Sequence, residues 1–533
     1  MRSPSIRMTL TYSSLVCCVL YSANKGVQSL RAPIRNTFIT RASRTGNALQ
    51  LRSRLEFAQQ HFLRKDPYVD VDVEVDAIGS LPVVTSTLAV TTIPPLESKG
   101  FVILTLLFLV STLCALDRVA MSVAILPMGD EFQYNASTRG LISSVFSLGY
   151  MVGLIPSGLL GSFSSPKKIL AYGVLLWSVA QIATPFAAYV SIPVLLCSRF
   201  FMGVAEAVAI PTVQTFVARW VPENQRSVAL GAVLSGLQVG NVCAYVASPA
   251  ILSAFDWKGL FEIYGAVGFL WVALWLPFSQ DNPTGVNDSI SSSLVNRIEL
   301  EAVVPVKDES IEQTAALALE SVKGVLAEVP WKEILASKEI RAITVAHAVQ
   351  NFGLYINLAW LPSYFSQKYH LGVADSSLSS VLPWIVAAAV GSGSGLLADS
   401  MLQRGVDKTL IRKVAQTFAL VVPAVTLLEL STATDLTSTD AIGYFTVACA
   451  SAASCVAGFG SSVQDVCKNP KLVSTLYGIT SAPAVLFGSV GVYLTGVVLD
   501  NTKSWDLVFE GTALVYFIGA LYYATQYEAK KLF

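Results

Sequence analysis

Two charged residues interrupt an apolar run within residues 198–231: Arg199 and Glu206, seven positions apart in SRFFMGVAE. At 3.6 residues per turn that spacing returns to the same helix face two turns on, so both side chains point one way. An ionised group at membrane depth costs at least about 2.5–3.5 kcal/mol. Such a group therefore faces a bundle interior or a water-filled cavity, either on an ion or substrate path or as a structural ion pair. Arg118 lies in a second apolar run, residues 101–127. With a rise of about 1.5 Å per residue, Arg118 comes roughly 25 Å along its helix and Arg199 roughly 9 Å into its own from the opposite face, which predicts that the two share the outer half of a core about 30 Å thick. Two guanidinium groups in one cavity suit an oxyanion, because the forked donors match phosphate or carboxylate and do not deprotonate.

Glu206 is chemically different. A half-desolvated carboxylate either takes up a coupling ion, H⁺ or Na⁺, or neutralises Arg199; both readings stand at this point. Asp117 projects about 100° away from Arg118 and reads as a helix-contact residue. A third polar surface comes from His347, Gln350, Asn351 and Tyr355, spaced at three and four residues. They form one helix face that either lines the cavity opposite Arg199 or hydrogen-bonds neighbouring helices. The glycines Gly231, Gly236, Gly240, Gly488, Gly491 and Gly496 read as close-packing positions.

The elements that carry these groups must cross a bilayer. Over 533 residues the chain is 53% hydrophobic and 14% charged, with mean hydropathy +0.57, an integral membrane composition. Twelve apolar segments of spanning length follow residue 101, six on each side of a hydrophilic stretch at 280–338 that contains an amphipathic surface helix near 299–329. The expected organisation is an all-α protein of two six-helix halves, 101–279 and 339–533. An echo supports the pairing: Gly158-Leu159-Leu160-Gly161-Ser162 precedes Lys167 and Lys168, and Gly395-Leu396-Leu397-Ala398-Asp399 precedes Arg404, Arg412 and Lys413. Related halves rocking about a midplane site are the build of a secondary transporter. Lys167, Lys168, Asp399 and Arg404 are the candidate gating-loop residues. Basic residues concentrate in alternate loops, which places those loops and both termini on the cytosolic or stromal side.

Ahead of the helices, residues 1–29 read as a signal peptide, 30–65 as an acid-poor, Arg- and Ser/Thr-rich transit segment, and 66–100 as a polar linker. Eight cysteines and three histidines show no metal-ligand spacing, so no metal site is expected. Walker, dinucleotide and GxSxG signatures are also missing, which leaves ATP-driven pumping and hydrolase chemistry without their parts.

Leu116-Asp117-Arg118-Val119-Ala120-Met121-Ser122-Val123-Ala124-Ile125-Leu126-Pro127-Met128, together with the 199–226 segment, Val329-Pro330-Trp331-Lys332-Glu333-Ile334-Leu335, and Leu499-Asp500 through Ser504-Trp505, resembles the anion:cation symporter family of the major facilitator superfamily. That family holds vesicular glutamate transporters, sialin and sodium-dependent phosphate transporters, and the first run is most like its plastid phosphate branch. Both arginines match positions central to the family. The resemblance implies a symporter of inorganic phosphate, coupled to Na⁺ or H⁺, in a plastid envelope or thylakoid membrane. An organic anion carrier (glutamate, dicarboxylate or acidic sugar) of plastid or endomembrane is the alternative, and a non-transporting sensor with the carrier fold a remote one. The expected partners are a small anion and the lipid bilayer. Neither nucleic acid nor a cofactor beyond the coupling ion is expected, and the chain is expected to act as a monomer. The sequence departs from the pattern at Ser162, usually Asp, at Ser462-Val463-Gln464-Asp465, and at Gln350, where relatives carry Arg or His.

Overall fold

The computed structural model describes residues 69–78, 81–90, 98–163, 165–221, 226–281, 331–468 and 473–532. The signal, transit and 299–329 helix expectations lie outside these residues. Within the stretch read as a linker, β1 (Val69–Ile78) pairs antiparallel with β2 (Leu81–Val90), Val69 opposite Val90 and Ile78 opposite Leu81. The strict Val/acid alternation of VDVDVEVDAI is a period-two pattern, the signature of a strand rather than of a linker.

From Ser98 onward the described residues form helices and short connections. The elements are α1 (Ser98–Glu131), α2 (Ala136–Phe163), α3 (Pro166–Val190), α4 (Ile192–Glu206), α5 (Ala209–Trp220), α6 (Arg226–Phe278), α7 (Trp331–Ala336), α8 (Lys338–Tyr369), α9 (Val373–Ser379), α10 (Val381–Gln403), α11 (Lys408–Thr432), α12 (Ser438–Ala452), α13 (Phe459–Val466), α14 (Val473–Thr502) and α15 (Trp505–Gln526). Nine helical runs among the described residues are long and apolar enough to cross a membrane. One of them, 228–278, is really two spans: Asp256, at φ 63° and ψ 178°, breaks α6 into the fifth and sixth crossings. With α2 and α8 the expected twelve are complete; α8 is less apolar because it carries Lys338, Glu339, Arg341, His347, Gln350 and Asn351.

Helix starts follow local chemistry. Ser165 accepts from Lys168 N ahead of α3 and Ser191 from Val194 N ahead of α4, each with proline in the first turn. Asp407 caps α11, and Thr437 with Asp440 forms a reciprocal capping box on α12. These side chains satisfy amide groups that the first turn leaves unpaired.

Two crossings are discontinuous, and they occupy equivalent places. The fourth is α4 and α5, interrupted at Ala207 and Val208; the tenth is α12, a 3₁₀ turn at Ala453–Val456, and α13. Broken helices in matching positions of two halves are where carriers place their sites. Elsewhere each half has its own aromatic core, with Trp177, Phe216, Trp271 and Trp275 in the first and Trp360, Tyr364, Phe445 and Phe509 in the second. Large apolar side chains such as Tyr172, Phe186, Leu396 and Leu521 are left on the outside of the bundle. For a helix that must face hydrocarbon, an apolar exterior is the stable arrangement.

Candidate anion site

Glu206 ends α4 just before the interruption of the fourth crossing, and it is fully buried. Its Oε1 accepts from Arg118 Nε at 2.9 Å and lies 2.7 Å from the same guanidinium's second nitrogen, so the pair ties α1 to α4. The Cys114 thiol of α1 lies beside the Glu206 carboxylate, whose Oε2 takes no N–H or O–H donor, whereas the Arg118 side chain keeps 24% of its surface exposed. Phe146 and Tyr150, one turn apart on α2, lie beneath that guanidinium at 5.4 and 4.8 Å. Aromatic faces hold a cation without competing for its hydrogen-bond donors. Tyr355, from α8 in the second half, is within electrostatic reach of both Arg118 and Glu206.

Arg199 does share a buried face with Glu206, as the seven-residue spacing predicts. It is not, however, presented to a cavity beside Arg118. With 1% exposure it is held inside the first half, donating to Gln181 Oε1 at 3.3 Å and to the Met202 sulfur at 3.1 Å, and it lies 5.5 Å from the centre of the same Phe146 ring. Its electrostatic partners are Asp117 first and then Glu206. Arg118 is thus bonded to Glu206, and the Phe146 ring lies within 5.5 Å of both guanidinium groups.

Asp117, read from sequence as a helix contact, is 2% exposed with one carboxylate oxygen unpartnered, and its charge interacts with both Glu206 and Arg199. Two arginines and two carboxylates therefore form one buried, nearly neutral cluster. Gln181, Phe146 and Tyr150 belong to it too. A glutamine inside the apolar third crossing was a signal available in the sequence; the aromatic pair, in a helix rich in apolar residues, was not. The close approach that builds the cluster depends on Gly149 and Gly203, where any β-carbon would run into the Phe200 and Phe146 carbonyls respectively.

On the opposite side, His347 stacks on Phe459 of α13 at 4.5 Å and lies 5.7 Å from Tyr477 of α14, with Nδ1 buried and unpartnered. Gln350 donates to the Ala452 carbonyl at 3.2 Å while its own carbonyl oxygen is unpartnered. Asn351 and Tyr355 are half-buried; the Tyr355 ring packs where Gly488 has no side chain. So the polar face of α8 splits. Tyr355 joins the Arg118 group, whereas His347 and Gln350 contact the broken tenth crossing.

The four gating-loop candidates differ in their surroundings. Lys167 serves the first half internally: its backbone N–H donates to Asp281 Oδ1 at 2.9 Å and its ammonium to the Ser279 carbonyl at 2.8 Å, joining the start of α3 to the end of α6. Lys168 is exposed at the same helix start. Asp399 and Arg404 are exposed, with no side-chain ion pair to one another among the described residues. The second half instead uses Arg412, which donates to Asp465 at 2.7 Å and to the Ala457 carbonyl at 3.0 Å, with Lys408 3.4 Å from the same carboxylate. Among the glycines, Gly236, Gly240, Gly488, Gly491 and Gly496 sit at close contacts, but Gly231 faces open space.

Comparisons with known proteins agree with this architecture. The Major Facilitator Superfamily model matches residues 107–491. Probable anion transporter 4, chloroplastic, of Oryza sativa subsp. japonica is 33% identical over 79% of this chain and 68% of its own length. Two Arabidopsis thaliana proteins, the chloroplastic ascorbate transporter and the chloroplastic sodium-dependent phosphate transport protein 1, are also 33% identical over 79% of this chain, covering 74% and 78% of their lengths. Among solved structures, a bacterial homologue of the human lysosomal transporter Spinster superposes with TM-score 0.63 at 18% identity, covering 80% of this chain and 97% of that one, and a D-xylose–proton symporter with 0.60 at 14%, covering 82% and 100%. The chain belongs to the Major Facilitator Superfamily and is an integral membrane transporter of the plant chloroplastic anion transporter type.

Proposed function

We propose that this protein is a symporter of inorganic phosphate, driven by Na⁺ or H⁺, in a plastid membrane, with Arg118 as the anion-binding cation and Glu206 as the coupling group. The observation that carries the reading is the Arg118–Glu206 pair. A fully buried carboxylate whose second oxygen takes no N–H or O–H donor occupies two donors of a guanidinium that is itself partly exposed. An entering oxyanion and the Glu206 carboxylate then compete for the same fork. Cation uptake at Glu206 weakens its hold and frees Arg118 for the anion, so ion and anion bind as a set. Arg199, held by Gln181, adds to the positive field that keeps the Glu206 carboxylate in place. His347, Gln350, Asn351 and Tyr355 supply uncharged donors and acceptors from the second half, completing a site between the two broken crossings.

A second reading, transport of a hydroxylated organic anion, is favoured by one feature. Arg118 is partly reachable while Arg199 is buried, so one positive charge faces uncharged polar groups, an environment that suits a singly charged acid. The relatives do not separate the readings, since the ascorbate and phosphate transporters are equally similar. Plastid location is supported by the chloroplastic relatives and by the acid-poor leader. The test is uptake by proteoliposomes offered labelled phosphate, ascorbate and glutamate in parallel, with and without Na⁺ and pH gradients. Saturable phosphate uptake that follows one gradient supports the first reading; ascorbate uptake without phosphate uptake replaces it with the second.

A further inference from the structure

The two halves meet at their outer end, opposite both termini, through a contact outside the anion site. Asp500, near the end of α14 in the second half, reaches across to the start of α2 in the first. Its two carboxylate oxygens accept from the backbone N–H groups of Ala136 at 2.8 Å and Ser137 at 2.7 Å, and the Ser137 hydroxyl also donates to it. An acidic side chain at a helix N-terminus meets the positive end of the helix dipole and unpaired amides, and hydrogen bonds to an ionised acceptor are the strong kind. Helices usually obtain their cap from the residue just before them, and here Asn135 accepts from the Thr138 N–H at 2.9 Å. The two amides ahead of it, at Ala136 and Ser137, are taken by Asp500, more than three hundred positions away.

The surrounding packing is built for the same approach. A side chain at Gly496, one turn before Asp500, would run into the Ala136 carbonyl, and one at Gly140, one turn into α2, would come 2.9 Å from the Val492 carbonyl. A second inter-half hydrogen bond, from the Tyr245 hydroxyl to the Leu358 carbonyl at 3.1 Å, lies in the outer part of its helices as well. A carrier of this build alternates by rocking one half against the other. The outer ends of α2 and α14 must part for the site to open outward.

We infer that Asp500 is the outer latch of the transport cycle: it holds the outer mouth shut by capping the second crossing from the opposite half, and it releases each time the site opens outward. The latch differs from the anion site in place and chemistry, because no substrate group is needed to close it. Its strength sets the balance between outer-closed and outer-open forms, since a state stabilised by these bonds is depopulated when they are removed.

A reversible cross-link tests the inference. In the Ser137→Cys/Asp500→Cys double variant, oxidation should close the outer mouth permanently: uptake of whichever labelled anion the wild-type protein transports should fall at least tenfold and return with dithiothreitol. Normal uptake by fully cross-linked protein would overturn the latch. Hydrogen–deuterium exchange of the full-length protein gives a readout independent of any substrate, and decides the matter if the reduced double variant is inactive. In Asp500→Asn the amides of residues 136 and 137 should exchange at least tenfold faster while α4 keeps its protection; unchanged exchange at those amides overturns the proposal.

Discussion

Replacing Glu206 by Gln changes one oxygen to an amide and removes one charge from the buried cluster. In the native arrangement Arg118 gives two donors to Glu206 Oε1, at 2.9 and 2.7 Å. Hydrogen bonds to a charged partner contribute about 1.5–3 kcal/mol and neutral ones about 1 kcal/mol, so glutamine holds the guanidinium less tightly by about 0.5–2 kcal/mol. If anion and carboxylate compete for Arg118, that difference appears as affinity: anion binding should tighten by about 2- to 30-fold, at about 1.4 kcal/mol per decade. The amide neither takes up H⁺ nor holds Na⁺ by charge. Counterflow, which needs only binding and reorientation, should therefore persist, and gradient-driven accumulation should vanish.

The assay is one proteoliposome preparation measured twice, for exchange of labelled against unlabelled anion at equal concentrations and for uptake against a concentration gradient under an imposed Na⁺ or pH gradient. A Gln variant that still concentrates substrate removes Glu206 from coupling. A variant that binds the anion more weakly refutes the competition argument, because it would mean that Glu206 supports the anion site instead of occupying it.

Arg118→Lys should lower uptake at least tenfold although the charge is retained, since an ammonium cannot keep Glu206 and an anion on one planar fork; near-normal transport would make Arg118 a structural charge. Arg199→Ala should act first on stability: leaving the buried Gln181 Oε1 without its donor is expected to cost about 1–3 kcal/mol, seen as a fall in the thermal midpoint in detergent, and a variant of normal stability that has lost anion affinity would return Arg199 to the binding surface. Residues 1–65 fused to a fluorescent protein should carry it into a plastid; accumulation in the vacuole or plasma membrane would sink that assignment.

The fold was legible because bilayer length and composition leave few choices: twelve apolar runs, an echo between the halves and basic loops on one side follow from the cost of exposing backbone and charge to lipid. The shared face of Arg199 and Glu206 was also legible, since helical period fixes it. What helical period does not give is the contact between helices. The 34 residues of α1 are more than a core of about 30 Å needs, so counting along it does not show that Arg118 bonds Glu206. The role of Asp117 was hidden for a related reason. Adjacent residues on a helix point apart, but in a bundle both directions lead to protein, and Asp117 meets the Arg199 field where Arg118 meets Glu206. Asp500 could not be read at all, because a cap supplied across 364 positions leaves no local pattern.

The interruption of the fourth crossing explains why the carboxylate is placed at its edge. At Ala207 and Val208 the backbone keeps right-handed helical φ/ψ, and bonds from Ala207 N–H to the Gly203 carbonyl at 3.1 Å and from Thr212 N–H to the Val208 carbonyl at 3.2 Å flank the turn, so Glu206 stands at a locally weakened turn of a single crossing. The tenth crossing has its own junction at Ala453–Gly458, where Gln416 accepts the Phe459 N–H at 3.0 Å and Arg412 accompanies it by holding the Ala457 carbonyl at 3.0 Å. There the loosened backbone is tied to a neighbouring helix, whereas beside Glu206 the group that replaces such a tie is the Arg118 guanidinium, from the helix that also meets Tyr355 of the other half. If anion and carboxylate compete for Arg118 as proposed, exchange of that one partner acts at the weakened turn of the first half and at its contact with the second. A small local competition would in this way be connected to the rocking of whole halves, which is what coupling between an ion and an anion requires.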